Sequence, residues 1–183
     1  KHEQRGCPRA AFVFLGLTIL AFFYQSIGTG YIFSGTSSAS GTIFSAIISV
    51  VMPVMLFVVA NWCLTTLLEG EGSFRDGFVA TCYGIAPLPL LIILSTAVSN
   101  FLTANESAVI TLINTIAFIW VGILLFFGVM VTHGYSFGKN VATILFTIIA
   151  MAFIMFLAVL FSSLMTKIVS FVYSIAEEIN YRI

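Results

Sequence analysis

Five long apolar runs separated by short polar breaks make up most of this chain, and none of them contains an Asp, Glu, Lys or Arg. A helix needs about 20 residues to cross a hydrocarbon layer of about 30 Å, so runs of this length can span a membrane. Their approximate bounds are 10–26, 42–68, 77–102, 108–132 and 140–165, the first reaching further if 27–33 belongs to it. Backbone groups in lipid must be satisfied within their own segment, which a helix does. The pattern predicts an all-α membrane protein, a bundle of five transmembrane helices forming a single domain over 1–183.

Past the fifth run the pattern changes. Ile168, Val172, Ile175, Ile179 and Ile183 recur at helical spacing, while Lys167, Ser170, Ser174, Glu177 and Glu178 fall mainly on the opposite side. A C-terminal amphipathic helix over 166–183 is predicted, lying in the membrane interface or docking on a partner.

Breaker residues divide the runs. Pro8 precedes the first span, where a missing amide hydrogen costs a helix least. The stretch from Gly28 to Gly41 is rich in Gly, Ser and Thr and reads as an external loop. Pro53 predicts a bend in span two, and Pro87 with Pro89 predict a kink or break in span three. In the charged connector Glu69 to Asp76, Ser73 followed by Asp76 three residues on marks a helix start. Ala80 with Gly84, and Gly134 with Gly138, are small pairs four apart that let backbones approach closely.

Composition agrees with this reading: 60% of residues are hydrophobic, 8% are charged, and the formal net charge is zero. Mean hydropathy is +1.13. No basic patch argues for nucleic acid. Cys7, Cys63 and Cys82 form no CxxC and have no His pair beside them, so no metal site is expected and they read as small apolar residues. Five spans put the two ends on opposite sides. With the N-terminus inside, Lys1, Arg5, Arg9, Arg75 and Lys139 are cytoplasmic, against Lys167 and Arg182 outside. That bias places the N-terminus in the cytoplasm and the C-terminus outside. A first residue of Lys1 and not Met suggests a further segment upstream.

Polar side chains inside lipid are costly and need an account. Asn61, Thr65 and Thr66 fall in span two, Thr111, Asn114 and Thr115 in span four, and Thr143 and Thr147 in span five. Helix-to-helix hydrogen bonding is the favoured role, with Asn61, Trp62 and Asn114 tying helices together and Pro53, Pro87 and Pro89 shaping them. His133 stands at a span boundary and reads as a surface or headgroup-level residue. Glu69, Glu71 and Asp76 lack the ligand alternation of a calcium loop and read as a solvated connector. Asn105-Glu106-Ser107 matches a glycosylation pattern, but in a loop too close to the membrane. No Ser-His-Asp set, HExxH or P-loop can be assembled, so no catalytic residue and no cofactor are expected.

Four strings together resemble the Yip1 domain family, and specifically a bacterial, Gram-positive branch of it. They are Lys1-His2-Glu3-Gln4-Arg5-Gly6; Val59-Ala60-Asn61-Trp62 through Leu68-Glu69-Gly70-Glu71-Gly72-Ser73-Phe74; Ala80-Thr81-Cys82-Tyr83-Gly84-Ile85-Ala86-Pro87; and Val131-Thr132-His133-Gly134-Tyr135-Ser136-Phe137-Gly138-Lys139. The resemblance covers essentially the whole chain. It implies five membrane helices in a bacterial cell membrane, with a cytoplasmic N-terminus and an external C-terminus. Eukaryotic relatives bind small prenylated GTPases, but their Asp-Leu-Tyr-Gly-Pro motif is not found in this sequence, so a GTPase partner is not expected. Bacterial relatives are often encoded beside sugar importers of the ATP-binding-cassette type.

The reading that follows is a non-enzymatic, multi-pass accessory, assembly or regulatory subunit of a membrane complex. Its expected partners are integral membrane proteins, first the permease pair of a carbohydrate importer, and membrane lipid. Contact residues are expected to be Glu69, Glu71, Arg75, Asp76 and Tyr135 on the inner side, with Lys167, Glu177 and Glu178 in the tail. The alternative is a small transporter or channel for an uncharged or lipid-like substrate, built around the broken third span.

Overall fold

A computed structural model describes residues 6–29, 43–67, 72–103 and 106–182. They form six helices: α1 (Pro8–Gly28), α2 (Ile43–Leu67), α3 (Phe74–Gly84), α4 (Leu88–Ser99), α5 (Ser107–His133) and α6 (Phe137–Arg182). Helices α3 and α4 together make the third span, so five segments are long and apolar enough to cross a membrane. The protein is an all-α membrane protein.

Local chemistry explains several helix ends. Pro8 opens α1. The Ser73 hydroxyl accepts from the Asp76 N–H while the Asp76 carboxylate accepts from the Ser73 N–H, a reciprocal capping box that starts α3. The third span breaks over Ile85–Pro87, where Pro87 and Pro89 cannot donate to the preceding turn. Gly134 closes α5 at φ 64°, a left-handed position that a Cβ disfavours. By contrast α2 continues through Pro53, which stands on an exposed face.

The core is made of small and medium side chains, as close helix packing in lipid requires. Ala21 of α1, Val54 and Val58 of α2, Ile85, Leu88 and Ile92 around the break, and Ala117 and Val121 of α5 form one cluster. Ala11, Val79 and Cys82 form a second between α1 and α3. The Ala80/Gly84 pair lies where α3 packs tightly on α5: a Cβ on Gly84 would sit 2.7 Å from Leu125 Cδ2.

The tail departs from expectation. No additional amphipathic helix follows the fifth span, because α6 is continuous to Arg182. The reason is covalent: no Gly or Pro occurs after Gly138, and Lys167 alone does not stop a helix. At 1.5 Å per residue its 46 residues reach about 69 Å, more than twice the hydrocarbon thickness. Packing on α2 and α5 covers only its first part. Asn140, Thr143 and Thr147 are fully buried, Ile154 is the last half-covered residue, and 155–175 are exposed on every face.

Candidate functional site

The up-and-down course brings the start of α1, the end of α2, the start of α3, the end of α5 and the start of α6 to one end of the bundle. Here the polar side chains concentrate, and we call it the His133 end. Val58, Asn61 and Trp62 of α2, Ser73, Gly77, Ala80 and Thr81 of the α3 region, and Leu125, Val129, Thr132 and His133 of α5 surround a small cleft. Asn61 and His133 are each 4% exposed. Yet Asn61 Oδ1 and His133 Nδ1 have no hydrogen-bond partner among the described residues. Gly72 lies so close to the imidazole that a Cβ there would be 2.7 Å from His133 Cε1.

A stack continues outward from the cleft. The His133 and Tyr135 rings lie nearly parallel with centroids 5.5 Å apart, and Lys139 Nζ sits 4.6 Å above the Tyr135 ring, within cation–π range. Burial pushes the Tyr135 phenol up from its ordinary pKa. Beside it, Asn140 Nδ2 donates to the Phe126 carbonyl at 2.9 Å and ties α6 to α5.

At the opposite end, Asn100 Nδ2 donates to the Gly28 carbonyl at 2.8 Å and to the Thr96 carbonyl at 2.9 Å, locking α1 to α4. The Thr103 N–H and hydroxyl both donate to Glu106, holding its carboxyl below the usual carboxylate range.

The residues singled out from sequence separate into groups. Asn61 is buried at the cleft, and Trp62 is 45% exposed, with its ring edge-on to Phe74 at 5.8 Å, bridging α2 and α3. Asn114 is half-buried on α5 with no side-chain hydrogen bond among the described residues. Pro87 and Pro89 flank the start of α4, Pro89 buried. Arg75 is exposed beside half-buried Asp76. Glu69 and Glu71 lie outside the described residues, as does Asn105. Tyr135 is only 7% exposed, its ring stacked on His133 with Lys139 over it. Lys167, Glu177 and Glu178 are exposed on distal α6, far along the chain from the cleft. His133 is a correction: it is buried and not a surface group, because Gly72 and Tyr135 close over it. Asn100 and Asn140 escaped notice in the sequence, although amides at span ends are apt to tie neighbouring helices.

Among the described residues, no group of three His, Cys, Asp or Glu side chains converges on a metal-sized space. At this polar end the Asn140 amide joins α6 to α5.

Residues 3–161 match the Yip1 domain. The chain belongs to the Yip1 domain family. No curated protein and no solved structure matches it. The Yip1 match takes in the whole bundle, the cleft and both amide ties. It stops within α6, seven residues beyond Ile154, so the helix from Ser162 onward lies outside the matched region.

Proposed function

We propose that this Yip1 domain protein is a non-enzymatic accessory subunit that works by helix-to-helix contact with another integral membrane protein. The observation that carries this reading is the distal half of α6. Ala158, Ser162, Thr166, Ser170 and Ser174 recur every fourth residue, forming a ridge of small side chains that winds gradually around it. Thr166, Ser170 and Ser174 each return the hydroxyl to the carbonyl four residues back, at 3.0, 2.9 and 3.0 Å. A hydroxyl satisfied in this way can be buried against another helix without an orphaned donor, and small side chains permit close approach.

Helix length supports the same reading. Lys139 and Lys167 bracket an uncharged stretch of about 42 Å, which matches a bilayer with its headgroups. Ile168, Val169, Phe171, Val172 and Tyr173, between 47% and 75% exposed, then continue beyond it. Apolar side chains projecting past the bilayer favour cover by protein.

Arg9, Arg75 and Lys139 begin α1, α3 and α6 at the His133 end. On the positive-inside rule we assign that end to the cytoplasm, with α6 projecting outside a bacterial cell membrane. The partner we put forward first is the permease pair of a carbohydrate importer, on the resemblance to Gram-positive relatives alone. The break in span three favours no transport path, since Ile85 and Leu88 fill it as part of the core.

Replacing Ser162, Thr166 and Ser170 together by Leu tests the proposal. Purified from native membranes in mild detergent, the wild type is expected to bring a membrane partner and the triple variant to lose it while remaining folded. A wild type recovered alone, or a variant that keeps its partner, contradicts the reading.

A further inference from the structure

We propose that the cleft at the His133 end binds a single water molecule that bridges α2 to α5. Two atoms call for it: Asn61 Oδ1 and His133 Nδ1 are buried, belong to residues that line the same cleft and have no hydrogen-bond partner among the described residues. An unsatisfied buried acceptor costs about 1–3 kcal/mol, and native interiors meet such groups with protein or water.

Two of the hydroxyls around the cleft are already committed. The Thr81 hydroxyl donates to the Gly77 carbonyl at 2.8 Å, and the Ser73 hydroxyl donates to Asp76 Oδ2 at 2.6 Å. The Thr132 hydroxyl has no protein partner among the described residues and lines the same space. One water can serve all three of these atoms. The water gives one hydrogen to Asn61 Oδ1 and the other to His133 Nδ1, with the imidazole in its Nε2–H tautomer, and accepts from Thr132 Oγ1. Three bonds are typical of an internal water.

Size narrows the ligand. The cavity volume of about 10 Å³ is near the minimum for one water and excludes an organic molecule. The flanking walls are apolar (Val58, Leu125 and Val129), so the water is held by these polar atoms and not by a hydrated channel. It joins α2, nearly two turns before its end, to the last turn of α5 at the end where Asn140 joins α5 to α6. All three long helices are thereby tied by polar groups at one level of the bundle.

The test is a structure of the full chain in lipid nanodiscs at a resolution that shows ordered water, combined with a thermal double-mutant cycle of Asn61→Leu and His133→Phe. Density within hydrogen-bond distance of both atoms is expected. Asn61→Leu is expected to lower the midpoint by about 2–4 °C by stranding His133, and the double variant to fall clearly short of the summed single losses, since both act on one water. A dry cleft, or a direct bond between Asn61 and His133, overturns the proposal. So does a midpoint raised by Asn61→Leu, which is the result for an amide that had been left unpaired.

Discussion

The two halves of α6 share one local chemistry and differ in what surrounds it. Near the start, Thr143 donates to the Lys139 carbonyl at 2.9 Å and Thr147 to the Thr143 carbonyl at 2.8 Å. Near the end, Thr166, Ser170 and Ser174 make the same bonds at nearly the same lengths. Yet Thr143 and Thr147 are 0% exposed against α2 and α5, while the distal hydroxyls are open. The proximal half shows what a hydroxyl-bearing face does when a helix covers it. The distal half repeats that face beyond the reach of this chain's own helices.

Matched substitutions break the comparison most sharply. Thr147→Leu forces extra volume into a closed interface and is expected to destabilise the bundle by about 1–3 kcal/mol. Ser170→Leu, the same kind of change on the distal half, is expected to stay within about 0.5 kcal/mol. Thermal unfolding of each variant in detergent checks both. Equal losses would mean that distal α6 already packs on its own bundle.

Next in size are the joints that hold the proximal half in place. Asn140→Ala removes the bond to the Phe126 carbonyl and is expected to cost about 0.6–1.7 kcal/mol, the range for interhelical hydrogen bonds in membranes. Ser73→Ala removes one arm of the capping box on α3 and is expected to cost about 1 kcal/mol. Neither change touches distal α6, so partner recovery should survive both. Loss of the partner with either would tie the two halves together.

The smallest expected effect depends on pH. Thr103 holds the Glu106 carboxyl below its ordinary value of 4.5, so the folded state binds its proton less readily than the unfolded chain. Its contribution is therefore complete above the ordinary carboxylate range and lost as pH falls through the lowered folded value. The gap in thermal midpoint between wild type and Glu106→Gln should narrow from pH 7 towards acid. A gap that is constant with pH would show that the charge is irrelevant there.

Much of the fold was legible because charge-free runs of spanning length have few alternatives in lipid. All five spans fall where the apolar runs stand, with bounds within about three residues except at the end of the fifth. Ser73 with Asp76, and the proline pair, marked a helix start and a break by chemistry confined to a few residues. Continuity of α6 was less legible. The amphipathic spacing of Ile168, Val172 and Ile175 is compatible with either a separate helix or an extension, and only the lack of a breaker decides. The cleft could not be read at all from one dimension. Asn61 and His133 lie 72 positions apart, and His133 is buried by the fold-back of Gly72 and Tyr135, which no local pattern announces.

The central claim is that distal α6 is a contact face for another membrane protein. Photo-crosslinking groups placed one at a time from Ala158 to Ile175, activated in native membranes, test it most directly. Adducts to one protein clustering at Ser162, Thr166, Ser170 and Ser174, with lipid adducts on the opposite side, are predicted. Lipid adducts spread evenly around the helix would contradict it.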